Sequence, residues 1–209
     1  VPMLGQYLQI AQERNEMIDG VERGRFRVCS ALVYLFSQYH TLLSRYPILI
    51  KALLQIIIKF LVDGDFELRS VSIFSLKTLA QRCSRYLTTI QENENMTYCA
   101  MLLDNLPNLF EHLESDNIIE LFRAIAIMIR CQNSEQERME QLSRLLSIFD
   151  PIWSKVMTPQ FDPFSIETYK TLDLILMCHS NILLSLSGVY STILKDLLPQ
   201  FMFIFKTIT

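Results

Sequence analysis

Histidine and cysteine are the side chains with which this chain could perform nucleophilic or metal chemistry. The three histidines, His40, His112 and His179, stand far apart in the sequence. Cys178 directly precedes His179, but successive residues on a helix point in different directions, so the two do not form a nucleophile and its base. The sequence contains no HExxH, no G-x-S-x-G and no GxxxxGK followed by Ser or Thr. We therefore expect a binding protein rather than an enzyme, with no catalytic residue, no metal site and no cofactor.

Charge and composition exclude several further classes. The net charge is -3, which provides neither a basic surface for nucleic acid nor a polybasic patch for a membrane surface. Half of the residues are hydrophobic and only 5 are glycine, which favours a packed core over disorder. The five cysteines contain no CxxC pair, so we expect them to be reduced and the protein to be intracellular. They are Cys29, Cys83, Cys99, Cys131 and Cys178.

The most apolar segment of the chain is YPILIKALLQIIIKFLV, from Tyr46 to Val62. Its polar residues Lys51, Gln55 and Lys59 cover an arc of only about 80° on a helix of about 100° per residue. A membrane span is disfavoured because the segment is at the lower limit of length and two lysines interrupt it. The sequence therefore predicts a helix of a packed protein with an unusually narrow polar face.

Two apolar stripes share the rest of this helix. One is Ile50, Leu54, Ile57 and Leu61, and the other is Leu49, Leu53, Ile56 and Phe60, with Leu42 on the same line. One stripe can pack against the partner helix of a hairpin. The second must then be covered either by a neighbouring repeat or by an apolar series from a ligand helix.

Helical periodicity extends over the whole chain, with no convincing period-two segment. We predict helices from about Arg23 to Tyr39 and from about Thr41 to Gly64, and a further helix capped by Asp65. The side chains that this further helix is predicted to turn inward are Leu68, Phe74, Leu76, Leu79 and Cys83. Two capping boxes are predicted, at Asn117 with Glu120 and at Ser134 with Glu137. Near the end of the sequence we expect two helices, at about 165–180 and 183–206.

About ten antiparallel helices indicate an all-α fold. LDNLPNLF resembles LKDLLPQFMF, and Pro107, Pro151 and Pro199 stand 44 and 48 residues apart. Periods of about 40–47 residues are typical of HEAT and armadillo repeats. We therefore predict an α-α superhelix of about five HEAT-type helix pairs.

An ordered series of segments resembles the exportin-1 family of nuclear export receptors, in the importin-β (karyopherin) superfamily. The series begins with VYLFSQYHTLLSRYPILIKALLQIIIKFL and continues through LKTLAQRCSRYL, ELFRAIAIMIRCQ, PIW and ETYKTLDLIL. The likeness implies a segment of a longer receptor, 1–209 being one α-solenoid segment. Residues 1–63 would hold the export-signal groove repeats, and residues 64–209 the HEAT repeats that follow.

The resemblance implies a hydrophobic groove between two outer helices that binds leucine-rich nuclear export signals. One wall would be the Pro2–Asn15 helix, the other wall would be the apolar helix described above, and Cys29 and Val33 would form the floor. Arg25 falls on a basic rim position. The implied groove residues are Leu4, Leu8, Ala11, Cys29, Val33, Leu42, Leu49, Leu53, Ile56 and Phe60.

The resemblance also implies partners and a location. The partners would be cargo proteins with export signals, and Ran-GTP and nucleoporins through the full-length receptor, with no direct nucleic acid and no membrane insertion. The protein would shuttle between nucleus and cytoplasm. Isoleucine stands at Ile48 and Ile56, where the family usually has lysine, and alanine stands at Ala11, where many members have a reactive cysteine.

Two alternatives stay open at this point. The chain could be a generic α-solenoid scaffold, or another importin-β-type receptor that holds folded cargo on its concave face. The exposure of Leu8, Leu53 and Phe60 separates the first of these from an export receptor. A receptor groove should leave all three partly exposed, whereas a scaffold should bury them.

Overall fold

The computed structural model describes residues 19–92, 94–156, 158 and 165–208. The chain divides into two compact units, Val1–Cys83 and Ser84–Thr209. The described helices of the first unit are α1 (Asp19–Gln38), α2 (His40–Arg45), α3 (Pro47–Asp63) and α4 (Phe66–Arg82). Those of the second are α5 (Ser84–Thr88), α6 (Tyr98–His112), α7 (Ser115–Arg130), α8 (Glu135–Leu146), α9 (Asp150–Val156) and α10 (Ile166–Ile208), with a 3₁₀ turn at Ser147–Phe149 before α9.

A two-residue connection joins α3 to α4 in the first unit. The carboxylate of Asp65 accepts a hydrogen bond from the backbone N–H of Leu68 at 2.8 Å, which confirms the predicted cap. Gly64 is required just before it, because a Cβ at this position would clash with the carbonyl oxygen of Phe60. So short a connection makes the two helices antiparallel, and α4 packs against both α3 and α1.

The predicted single helix from Thr41 to Gly64 is in fact two helices, α2 and α3. They are separated at Tyr46, whose φ of -132° and ψ of 78° are not helical. The cause is Pro47, which disfavours the α conformation of the residue before it but is well suited to the first position of the next helix. α3 therefore begins as a separate helix at the start of the most apolar segment.

The second unit is built around α7, an apolar helix that packs against α6, α8 and α10. Ser134 and Glu137 form the predicted capping box at the start of α8. The box predicted at Asn117 and Glu120 is wrong, because α7 already begins at Ser115. Asn117 lies in its first turn, buried, and its side chain donates to a carboxylate oxygen of Glu114.

The two helices predicted near the end of the sequence correspond to the two halves of α10. The backbone is non-helical at Leu186, with φ -129° and ψ 30°. The ring centroids of His179 and Phe201 nevertheless lie 5.3 Å apart. Residues with this separation in sequence would lie about 33 Å apart along a straight helix, so the chain folds back at Leu186.

The described part of the chain contains helices and no strands, which confirms the all-α fold class with antiparallel helix pairs of the kind that repeat in α-solenoids. Within that part, the segment Ile166–Phe203 of α10 has the length and apolar composition of a membrane span, with a mean hydropathy of 1.5. The core helix of a protein that spans no membrane has the same properties, and α10 packs along α7 with its buried face.

Candidate functional site

The stripe of Leu49, Leu53, Ile56 and Phe60 is nearly closed in this structure. Leu49 is 8%, Leu53 1% and Ile56 5% exposed, and Phe60 is half-buried. The other stripe, from Ile50 to Leu61, is entirely buried. α3 is therefore covered on both apolar stripes, and only the Phe60 end of the stripe from Leu49 to Phe60 reaches the surface.

The predicted floor of the groove is also buried. Cys29 is 6% and Val33 0% exposed on α1, which contacts α3 within the first unit. Leu42, on α2, is half-buried. The structure thus brings the floor residues and the second wall into one apolar layer between helices of a single unit.

Four of the predicted positions cannot be placed. Leu4, Leu8 and Ala11, on the predicted first wall, lie outside the described residues. Arg25 is in α1, but its side chain lies outside them too. The predicted division into groove repeats and following repeats likewise stays a prediction.

The outer edge of α3 matches the narrow polar face seen in the sequence. Gln55 and Lys59 are exposed and Lys51 is half-buried. Ile48 lies on the same edge at 76% exposed, beside Tyr46 at 42%. Sequence reasoning did not assign these two to the site. The nearest sequence signal is Pro47, which marks the start of α3 but does not predict which neighbouring side chains are exposed.

The expectation that Leu53 is partly exposed is wrong, whereas Phe60 is partly exposed as expected. Helical spacing shows which residues share one stripe of α3, but it does not show how closely another part of the chain packs against that stripe. The stripe from Leu49 to Phe60 and the floor beneath it are apolar, apart from the Cys29 thiol. What such a surface can do chemically is bind another apolar surface.

The described ranges contain no group of three or more His, Cys, Asp or Glu side chains arranged to hold a metal ion. Burial lowers the pKa of His179, but this residue belongs to the second unit, whereas α3 belongs to the first.

Comparison with known proteins finds relatives among the exportins. The chain is 22% identical over 130 residues to Protein EXPORTIN 1A and 21% identical to Protein EXPORTIN 1B, both of Arabidopsis thaliana. It is 19% identical over 131 residues to Exportin-1 of Drosophila melanogaster. The matches cover 62–63% of this chain and 12% of each relative, so the chain spans about an eighth of their length. No family model matches the chain.

These similarities support an exportin-like relationship. The identity is low, but it recurs with exportins of a plant and of an insect over nearly the same length.

Proposed function

We propose that this chain is the export-signal-binding segment of an exportin-type nuclear transport receptor. Its ligand would be the leucine-rich signal of a cargo protein, held between the Pro2–Asn15 segment and α3. The observation that carries the proposal is the similarity to three exportins over 62–63% of the chain. The second apolar stripe of α3, of which Phe60 reaches the surface, supports it.

Binding in this groove requires the stripe to be uncovered first. Leu49, Leu53 and Ile56 are almost fully buried, and exposing each such side chain costs about 1.5–3 kcal/mol. Only molecules with an open groove can bind the peptide, so the apparent affinity is the intrinsic affinity multiplied by the open fraction. We therefore expect the isolated chain to bind export peptides weakly, and any partner that favours the open form to strengthen binding.

A leucine-rich signal can offset the free energy of exposing the stripe, because its own apolar side chains become buried against it. Its four or five apolar side chains each contribute about 1.5–3 kcal/mol when buried. Association and ordering of a disordered peptide remove about 4–15 kcal/mol of this gain. The two ranges nearly cancel, so we expect at most a modest affinity, which suits a receptor that must release its cargo.

The wider role follows from the same proposal. The receptor would act by binding alone, without catalysis, and would shuttle between nucleus and cytoplasm. Ran-GTP and nucleoporins would act through the full-length receptor, and Ran-GTP would favour cargo binding. These partners are proposed from the exportin relationship.

Phe60 provides the test. We would titrate the chain with a fluorescein-labelled leucine-rich export peptide and follow its anisotropy. A carboxylate buried against peptide leucines is strongly unfavourable, so Phe60→Glu should weaken binding by roughly tenfold or more, equivalent to about 1.4 kcal/mol. The matched control Gln55→Glu makes a similar charge change at an exposed position of α3 and should bind like the wild type.

Circular dichroism melts of both variants establish that they fold. Equal affinities of the wild type and Phe60→Glu would contradict the groove assignment. A further control is a peptide whose leucines are replaced by alanine, which should not bind any of the proteins.

A scaffold without a groove is the second candidate, because Leu53 is only 1% exposed, the state expected of a scaffold. A scaffold would show no saturable binding of the export peptide even at millimolar concentration. It would instead retain a folded partner whether or not Phe60 is replaced.

A further inference from the structure

The reversal of α10 is tied by one buried polar contact. The Tyr190 hydroxyl and Nδ1 of His179 lie 2.6 Å apart, on opposite sides of the non-helical residue Leu186. His179 is 4% and Tyr190 2% exposed. Burial raises the pKa of Tyr190 to about 12, so the phenol stays neutral, and its hydroxyl can donate to Nδ1 of the imidazole or accept from an Nδ1–H. The contact therefore joins the two halves of α10 across their turn.

The surroundings of this contact are aromatic. The His179 ring lies 5.5 Å from that of Phe149 and 5.3 Å from that of Phe201, between centroids. Phe201 in turn meets Trp153 of α9 edge to face at 6.2 Å. The Nε2 atom of His179 is buried with no hydrogen-bond partner among the described residues. The site therefore favours a neutral imidazole, because burial removes the water that would solvate its charged form.

No ionised group faces the imidazole from the elements packed around it. Every charged residue that the structure describes on α7, α8, α9 and α10 is exposed or half-exposed, and the neighbouring Cys178 thiol has a pKa raised by burial to about 12. The least exposed of these charged residues are Glu120, Arg123 and Arg138, and the pKa of His179 is lowered by burial rather than by a charged neighbour. A proton on His179 would therefore lack a counter-charge.

We propose that the buried His179–Tyr190 pair is an acid-sensitive latch that holds the two halves of α10 together at Leu186. Protonation of the imidazole leaves the Tyr190 hydroxyl only as an acceptor of the ring N–H, and it places a cation without a counter-charge among Phe149, Phe201 and Tyr190. The half of α10 after Leu186 then separates from α9, and the apolar faces that it covered become accessible.

The direction of the pH effect follows from the surroundings of His179. Burial lowers the pKa of His179 from 6.5 to about 4, so the closed form disfavours the proton that the open form accepts. The latch is at full strength above pH 6.5 and weakens as the pH falls from 6.5 towards 4. Above this window the closed form should not respond to pH.

Trp153 is the only tryptophan of the chain, so its fluorescence reports the latch without any label. We would excite tryptophan selectively and follow the emission maximum of the full chain from neutral to acid pH. The wild type should show a red shift between pH 6.5 and 4, with the far-ultraviolet circular dichroism unchanged.

Two variants and one control show whether the red shift of Trp153 emission comes from His179. In His179→Gln the residue no longer titrates, so the step should be absent. In Tyr190→Phe the closed form loses one hydrogen bond and is destabilised relative to the open form, so the midpoint of opening should rise by roughly half a pH unit to one unit. His112→Gln, which replaces an exposed histidine of α6, should behave as the wild type.

Three outcomes would overturn the latch. They are a wild type without any red shift, a midpoint that Tyr190→Phe leaves unchanged, and a red shift that coincides with loss of helical circular dichroism. If His179→Gln does not fold, Tyr190→Phe decides the question, because it keeps the ring and removes only the hydroxyl group.

Discussion

Single residues decide where the helices of this chain begin. Pro47 separates α2 from α3, and Asp65 caps α4 across a connection of only two residues. Both effects are local, since they depend on the φ and ψ of one residue and on one side-chain hydrogen bond. For that reason the Asp65 cap and the Ser134 capping box could be predicted from the sequence.

Replacing Asp65 by alanine should destabilise the first unit. The N–H of Leu68 loses its acceptor at 2.8 Å, and loss of such a cap typically costs about 0.5–2 kcal/mol. Urea denaturation followed by circular dichroism measures the free energy of unfolding. The control Asp63→Ala removes an exposed carboxylate at the end of α3, where a negative charge is unfavourable, so it should be neutral or slightly stabilising.

Phe74 shows where residue-level reasoning failed. Periodicity placed it on the buried face of α4, but it is 44% exposed and stacks on Tyr34 of α1 with ring centroids 5.8 Å apart. An aromatic pair at the edge of two helices gains contact without full burial. The sequence contains no sign of this partner, because Tyr34 and Phe74 are brought together only by the packing of α1 on α4.

At the scale of elements, α3 carries the candidate site and also holds the first unit together. The stripe from Ile50 to Leu61 is entirely buried, and the stripe from Leu49 to Phe60 is closed except at its end. Its helical character and its narrow polar face could be read from the spacing of apolar residues. The closing of the second stripe could not, because it depends on which surface approaches α3 from outside.

Two alanine substitutions in α3 should distinguish its buried face from its exposed edge by their effects on stability. Leu54→Ala removes a side chain that is 0% exposed and should cost about 2–5 kcal/mol of unfolding free energy, because a cavity is left behind. Ile48→Ala removes one that is 76% exposed and should change it by about 0.5 kcal/mol or less. Chemical denaturation measures both values, and a large effect of Ile48→Ala would show that this edge has a hidden partner.

α10 is the element whose reversal was only partly foreseen. A pair of helices was predicted with a break between residues 180 and 183, and the structure places the break at Leu186. The turn lacks a proline, and Gly188 follows it by two residues, so local signals alone leave its place open. The contacts of His179 with Tyr190 and Phe201 fix it.

At the scale of the whole molecule, the prolines used to infer a repeat do not occupy equivalent places. Pro107 and Pro199 lie inside helices, whereas Pro151 is the second residue of α9. The similarity to exportins over 62–63% of the chain therefore supports the proposed function better than the internal spacing does. The structure also divides the chain at residue 83, between α4 and α5, a boundary that no change of composition marks.

What the sequence determined by itself is the helical class, most helix starts and the absence of the common catalytic motifs, since these depend on short-range periodicity and on single caps. Only the tertiary structure decided that Leu53 is buried, that Phe74 is exposed and that His179 meets Tyr190. Burial and distant contacts depend on which helix faces approach each other, and that choice is made by packing over the whole unit.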